Sequence, residues 1–206
     1  MHNNNPKAVL TAEARISFPS IFKPKAPFGR PDAPQDEWKY ECTLLLPKSE
    51  TACMEDIKKT VEHVVAEAVA DNGPKGWKGA RPPQLQTPVQ DGDQPKKDGT
   101  ARPESEKGMW IIKLKGKRKP QVRSIVNLKG PDLTEAECYA GCWVRATFNV
   151  GAYNAAGNKG VTFYLGNILK TRDDEPFGGA APAAEDDFAG LEQAPEINDG
   201  GMGMFG

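Results

Sequence analysis

The densest charge in the chain lies in residues 107–131, a stretch with eight lysines and arginines and no acid. The eight are Lys107, Lys113, Lys115, Lys117, Arg118, Lys119, Arg123 and Lys129. Closely spaced bases can neutralise successive phosphates of a polymer without reading its sequence, and such binding weakens steeply as salt rises. A lysine-rich hairpin that keeps a sheet edge solvated has the same composition. The stretch therefore indicates either a phosphate-binding surface or a solvated hairpin.

Aromatic residues on the polar side of two predicted strands are the second chemical signal. Trp143 and Arg145 share the polar side of one strand, and Tyr164 lies on the polar side of the next. A large ring that stays in water needs a reason, and stacking on the bases of a single strand is one. Tyr153 extends this predicted platform. Four other aromatic residues are expected to pack inside the protein or under a loop: Trp110, Phe18, Phe22 and Phe28.

Alternation of apolar and polar residues predicts the elements that must position these side chains. Strands are predicted at residues 7–18, 37–46, 142–150 and 161–169, and residues 108–124 predict a strand, a basic turn and another strand. Apolar residues spaced by three and four predict one amphipathic helix over residues 51–71. Strands and helices do not alternate, which argues against a doubly wound sheet. We predict a mainly β fold, an oligonucleotide-binding (OB) fold-like antiparallel barrel with one packed helix.

Charge divides the chain into a basic body and an acidic tail. Residues 173–206 carry nine acids and no base, which leaves residues 1–172 with a formal net charge of +8. The tail is rich in Gly, Pro and Ala and is predicted to be disordered. Residues 73–107 are also rich in Gly and Pro and predict a long mobile loop. We therefore expect one OB-like nucleic-acid-binding domain at residues 1–172, followed by a disordered acidic tail at residues 173–206.

Several classes of protein are excluded by composition. The sequence has no apolar run of about 18 residues and no apolar leader, so membrane-spanning and secreted proteins are not expected. Its four cysteines are irregularly spaced, which predicts reduced thiols rather than a metal site: Cys42, Cys53, Cys138 and Cys142. The sequence thus predicts a cytoplasmic protein without a cofactor or a bound metal.

Common catalytic motifs are not found in the sequence: it has no Walker loop, no GxSxG and no HExxH. Asp91 and Asp93 flank a glycine, and two carboxylates so placed form a turn or, in a nuclease, hold a metal. A non-enzymatic nucleic-acid-binding protein is the main prediction. The alternatives are a structural or adaptor protein that acts through its acidic tail, and a metal-dependent nuclease that uses the two aspartates.

Five segments, taken in order, resemble the bacteriophage single-stranded-DNA-binding proteins formerly known only as a domain of unknown function. They are RISFPSIFKPKA (15–26), KYECTLLLPK (39–48), PVQDGDQ (88–94), KPQV (119–122) and YAGCWVRATFNVGAYNAAGNKGVTFYLGNILK (139–170). The resemblance covers roughly residues 7–172. It implies an OB-like barrel that binds single-stranded DNA (ssDNA) with little sequence preference, during phage replication or recombination in the cytoplasm of an infected bacterium.

The residue patterns and the resemblance together give the expected site residues. The expected DNA-binding set is Arg15, Lys113, Lys115, Lys117, Arg118, Lys119, Arg123, Trp143, Arg145, Tyr153 and Tyr164. The acidic tail resembles tails of other phage and bacterial single-strand binders, which dock replication partners through a terminal aromatic residue and compete with DNA. The expected docking residues here are Asp186, Asp187, Phe188 and the penultimate Phe205.

Overall fold

A computed structural model describes residues 5–74, 76–155 and 158–178. In these residues the chain forms eight strands and one α-helix. The strands are β1 (Ala8–Leu10), β2 (Ala14–Lys25), β3 (Lys39–Pro47), β4 (Val89–Asp91), β5 (Met109–Gly116), β6 (Val122–Ser124), β7 (Trp143–Ala155) and β8 (Asn158–Arg172), and the helix is α1 (Thr51–Ala70). The tail residues Asp186, Asp187, Phe188 and Phe205 lie outside the described part.

Five of the strands close into a ring in the order β2, β3, β5, β8, β7 and back to β2. Four of the five pairings are antiparallel, whereas β5 and β8 are parallel and share the single residue pair Lys115 and Tyr164. The short strands β1, β4 and β6 extend the sheet beside β7, β5 and β8. The ring confirms the predicted mainly β, OB-like barrel with one helix.

The apolar side chains of the barrel and one face of the helix form a single core. In β3, Cys42, Leu44 and Leu46 point inward as the alternation predicts. The predicted helix is confirmed, and its buried residues are Met54, Ile57, Val61, Val64, Val65 and Ala68. Across the longest hairpin, Phe148 of β7 stacks on Phe163 of β8, with ring centroids 4.6 Å apart. This contact fixes which faces of β7 and β8 remain outside.

Two strand predictions are wrong in detail. Residues 7–18 form two strands rather than one, because buried Thr11 interrupts the ladder: its hydroxyl accepts the Ala146 N–H and its carbonyl accepts the Arg145 guanidinium. Because the alternation of inward and outward side chains changes at this interruption, Val9 points inward and Leu10 is exposed. The strand after the basic turn, β6, does not return against β5, as a hairpin would; it pairs in parallel with β8.

Residues 73–107 contain more regular structure than their glycine and proline content predicts. Trp77 is fully buried, and its indole N–H donates to the Tyr153 carbonyl at 3.1 Å. The ammonium of Lys159 donates to the carbonyls of Trp77 and Ala80. Further along, β4 pairs with β5 over three residues. In the described part of the chain, no helix is long and apolar enough to cross a membrane.

Candidate nucleic-acid interface

An open groove of about 720 Å³ crosses the outer face of β3, β5 and β8. Most of its lining residues point outward from their strands, whereas Cys42, Leu114 and Val161 also belong to the core. Four of the lining residues are lysines: Lys25 at the end of β2, Lys39 at the start of β3, and Lys113 and Lys115 on β5. The face formed by the second and third strands of the ring, β3 and β5, is the one that OB folds use for oligonucleotides.

The groove is strongly basic. Among the described residues, no carboxylate forms an ion pair with the ammonium groups of Lys25, Lys39, Lys113 or Lys115. Glu41 is the single acid among the lining residues, and its strand position is directly opposite Lys115. Four ammonium groups without carboxylate partners form a surface suited to a polyanion.

Three aromatic side chains also line the groove: Phe18, Tyr153 and Tyr164. The Tyr164 side chain is about half exposed and lies over Gly151 of β7. A Cβ atom at Gly151 would come within 2.5 Å of the ring carbon Cε2, so the glycine leaves the space that the ring occupies. Phe18 is 75% exposed and has a φ of 47°, at an irregularity in the pairing of β2 with β3. An exposed ring held on a strained backbone is typical of a binding surface.

Residues 86–88, which we call the groove wall, close the gap where β5 and β8 separate. The Gln86 carbonyl accepts the Val161 N–H of β8 at 2.9 Å, and the Pro88 carbonyl accepts the Lys113 N–H of β5 at 3.0 Å. Gln86, Thr87 and Pro88 all face the groove. The wall thus supplies backbone hydrogen bonds that the two parallel strands do not make to each other.

This geometry agrees with comparisons to known proteins. The family model for the ssDNA-binding protein of Enterobacter phage Enc34 matches residues 7–199. The chain belongs to this family. The resemblance seen in the sequence is therefore confirmed.

Individual relatives extend the comparison. Putative protein p50 of Acyrthosiphon pisum secondary endosymbiont phage 1 is 30% identical over 185 residues, which are 88% of this chain and 92% of the relative. The ssDNA-binding protein of bacteriophage Enc34, solved in complex with ssDNA, has a TM-score of 0.66 and 26% identity and covers 84% of this chain and 91% of its own. The ssDNA-binding protein gp2.5 of bacteriophage T7 has the same fold, with a TM-score of 0.55, 17% identity and coverage of 86% and 98%.

In this member of the Enc34 family, the groove contains only some of the residues that the sequence analysis brought together. Lys113, Lys115, Tyr153 and Tyr164 line it. Trp143 is the first residue of β7, whereas Tyr164 is paired with Asn149, six positions further along that strand. This separation corresponds to roughly 20 Å. Alternation along β7 and β8 predicts that Trp143 and Tyr164 lie on the same polar face of the sheet, but it does not give the distance between them.

Trp143 and its neighbours are engaged in contacts within the protein. The guanidinium of Arg172 lies 4.0 Å from the centroid of the Trp143 ring, and the indole N–H donates to Asp174 at 2.6 Å. Arg145 donates to the Thr11 carbonyl at 2.8 Å, and Arg15 donates to the Gly141 carbonyl at 2.8 Å. The structure does not bring Trp143, Arg145 and Arg15 into the groove that holds Tyr164, because their polar groups are bonded within the protein at the other end of the barrel. Their role in DNA binding stays a prediction.

Residues 173–177, which we call the strap, cover this end of the barrel. The Phe177 ring lies 4.2 Å from the Arg15 guanidinium, and the Phe177 N–H donates to the Ala140 carbonyl. The Asp173 carboxylate accepts from Lys170 at 2.6 Å and from the Tyr139 hydroxyl, and these bonds lower its pKa. The hydrogen bond from Trp143 similarly lowers the pKa of Asp174. The first residues of the acidic segment are therefore docked on the barrel.

The remaining predicted bases are spread over two surfaces. Lys117, Arg118 and Lys119 are exposed in the turn between β5 and β6, and Arg118 donates to the side-chain oxygen of Asn167 at 3.2 Å. This turn follows directly after the groove residue Lys115. Arg123 instead pairs with Asp132 at 3.2 Å and is not among the residues that line the groove.

The two aspartates considered for a nuclease both contact Lys48. Its ammonium bonds the carboxylate of Asp91 and lies 2.5 Å from Asp93, and these bonds raise the pKa of Lys48. Asp93 also accepts the Gly108 N–H at 2.7 Å, which is the main cause of its lowered pKa. Within the described residues, no cluster of three or more histidine, cysteine or acidic side chains could hold a metal ion.

The sequence analysis did not assign Phe18, Lys25 and Lys39 to the binding surface, and it did not predict the groove wall. Lys25 and Lys39 are paired across β2 and β3 and become neighbours only through that pairing. Phe18 follows five alternating positions and precedes a proline, which is a signal for an irregularity that could have exposed it. Its assignment to packing under a loop is wrong, as is that of Phe28, which is fully exposed, whereas Phe22 packs against the core as expected.

Proposed function

We propose that this protein binds single-stranded DNA in the basic groove, without catalysis and without sequence preference. The observation that carries the proposal is the combination of four lysines, which form no ion pair with a carboxylate of the described residues, with three solvent-accessible aromatic side chains on one face. The relative from bacteriophage Enc34 was solved in complex with ssDNA, which supports the same ligand for this chain. The chemistry is base stacking plus phosphate neutralisation.

A single strand fits this surface better than a duplex does. Bases of a single strand can turn toward Tyr164 and Phe18 while their phosphates follow Lys25, Lys39, Lys113 and Lys115. In a duplex the base faces are stacked on one another and are not available to protein rings. Sequence tolerance follows, since every base has a face that can stack.

The path of the strand would continue past the groove over the basic turn. Lys117, Arg118 and Lys119 are exposed directly after Lys115 and add positive charge in the same direction. Trp143 and Arg15 can take part only if their present contacts break: Arg172 lies over the Trp143 ring, Asp174 accepts its indole N–H, and Phe177 lies against the Arg15 guanidinium. Arg145 and Arg123 would act indirectly, through the packing that they support.

The acidic tail supplies a second level of the proposal. We infer that it docks replication or recombination proteins, competes with DNA for basic surface, or does both, inside the infected bacterial cell. Two truncations separate the contributions: one ends at residue 178 and keeps the strap, and the other ends at residue 172 and removes it. If the tail competes with DNA, both tighten ssDNA binding at low salt and change little at high salt. Additional tightening in the shorter chain would assign part of the competition to the strap. Unchanged affinity at low salt in both chains would contradict competition.

The direct test of binding is fluorescence anisotropy with a labelled oligo-thymidine and a duplex of equal length, over a series of sodium chloride concentrations. We expect tight, salt-sensitive binding to the single strand and much weaker binding to the duplex. Equal or negligible binding to both would refute the proposal and favour a scaffold that acts through its tail. A magnesium-containing incubation of the same oligonucleotide should leave it intact; cleavage that disappears in Asp93→Ala would favour the nuclease alternative.

A further inference from the structure

The groove wall is poorly secured by the strands that it joins. It lies between β5 and β8, whose own ladder contains only the pair Lys115 and Tyr164. The strand that follows the wall, β4, has three residues and pairs with β5 alone. So short a strand on one neighbour is marginal by itself. Apart from Leu85 and Val89, which flank the wall and pack against the core, the wall needs a further support to stay in register.

That support comes from the three charged residues Lys48, Asp91 and Asp93, which we call the charge clamp. Lys48 follows β3 directly, and its N–H donates to the Gly108 carbonyl at 3.0 Å. Its ammonium bonds both carboxylates and lies 4.9 Å from the centroid of the Trp110 ring. Asp93 in turn accepts the Gly108 N–H at 2.7 Å. The clamp therefore ties the end of β3, the end of β4 and the start of β5 to one another.

Only glycine fits in the turn between the carboxylates of Asp91 and Asp93. The Gly92 N–H donates to the Met109 carbonyl at 2.9 Å, and a Cβ atom at Gly92 would collide with the carbonyl oxygens of Glu106 and Met109. Nearby, Arg102 is almost fully buried and bonds the side chains of Glu106 and Gln90. This close packing fixes the end of β4 and transmits its position to the wall three residues earlier.

We propose that Lys48, Asp91 and Asp93 are positioning residues for ssDNA binding: they hold the groove wall between β5 and β8 without touching DNA. None of these three residues lines the groove. The proposal rests on the proposed function, because it assigns to the clamp the shape of the same groove. It gives the Asp-Gly-Asp sequence a role that is neither a metal site nor a simple turn.

The first test substitutes Lys48→Met, which keeps length and apolar contact with Trp110 but removes the charge. We expect ssDNA affinity to fall by roughly threefold to tenfold at fixed salt, the effect of losing a small network of ion pairs. The slope of log Kd against log salt should stay at the wild-type value, because no phosphate contact is lost. Lys48→Arg should recover most of the affinity. Lys7→Met, which removes an exposed lysine paired with Glu67, is the matched control and should leave affinity unchanged.

Amide hydrogen exchange supplies a readout that does not depend on DNA. The Lys113 and Val161 amides donate to the wall, so both should exchange faster in Lys48→Met and in Asp93→Asn, while core amides of β3 keep their protection. Asp93→Asn also serves if Lys48→Met folds poorly.

Three results would overturn the proposal: wild-type affinity and exchange in both clamp variants, no recovery by Lys48→Arg, or a salt slope that drops by about 0.7, which indicates a direct phosphate contact. If the unaltered protein itself fails to bind ssDNA, the proposed function fails instead, and the exchange of Lys113 and Val161 still decides whether the clamp holds the wall.

Discussion

The Tyr164 ring offers a quantitative test of the groove. Its side chain is 49% exposed, so one side rests on β7 above Gly151 and the other faces the groove and can receive one base. Stacking of one base on an aromatic ring is worth about 1–3 kcal/mol. Tyr164→Ala should therefore raise the Kd for oligo-thymidine by roughly 5-fold to 140-fold. Tyr164→Phe keeps the ring and should bind almost as the unaltered protein does.

A second substitution reaches the same ring without removing it. Gly151→Ala places a Cβ atom within 2.5 Å of the Tyr164 ring carbon Cε2, and the ring must move away from its seat. We expect weaker ssDNA binding with an unchanged salt slope. Trp143→Ala, whose ring is covered by Arg172 and bonded to Asp174, should weaken binding less than Tyr164→Ala does.

Fluorescence anisotropy over a series of sodium chloride concentrations, with circular dichroism to confirm folding, measures all four variants. A Tyr164→Ala protein that folds and binds within about twofold of the unaltered chain would refute stacking at this position. A larger loss for Trp143→Ala than for Tyr164→Ala would move the main stacking site to the start of β7 and require the contacts of Trp143 with Arg172 and Asp174 to break when DNA binds.

Further predictions concern the charges and thiols. Lys113→Ala and Lys115→Ala should each weaken binding and reduce the salt slope by about 0.7, because each removes one phosphate contact; a Kd series in sodium chloride measures this. Glu41→Gln should tighten ssDNA binding at low salt by about twofold to fivefold, because it removes the repulsion between the Glu41 carboxylate and nearby phosphates of bound DNA. Salt screens this repulsion, so the gain should vanish at high salt. Burial raises the pKa of Cys42 to about 12. Iodoacetamide at pH 8 should therefore label Cys42 only when urea unfolds the protein, and mass spectrometry measures the labelling. Because the pKa of Asp93 is lowered in the folded protein, its contribution to stability is present above about pH 4 and is lost as the pH falls further; urea unfolding should show a smaller loss between pH 5 and pH 2 in Asp93→Asn.

The barrel could be predicted from the sequence where alternation and burial agree. The apolar positions of β3, such as Leu44 and Leu46, and the helix residues Ile57 and Val61 repeat with the period of their element, and the structure buries all of them. The count of strands and their lack of alternation with helices favoured a barrel before the resemblance was considered, but alternation alone cannot say which strands are neighbours. The parallel contact of β5 with β8, through Lys115 and Tyr164, is invisible to any local pattern.

The site was predictable only in part, for a geometric reason. Parity states which face of a strand a residue occupies, and it was right for Lys113, Lys115 and Tyr164. It does not state distance along the strand, so Trp143 was grouped with a ring roughly 20 Å away. Nor could it place Lys25, whose neighbour Lys39 lies on another strand. Long-range pairing decides which charges and rings meet.

The closed ring also governs how this protein can behave when many copies crowd together. Within the part of the chain that the structure describes, the sheet continues outside the ring only into β1, β4 and β6, and each of these has three residues. Short edge strands offer few unpaired backbone groups to another chain, which is a common protection against edge-to-edge aggregation. The long strands, β7 with 13 residues and β8 with 15, are paired with each other along most of their length. The three short strands therefore give a second chain little backbone with which to pair.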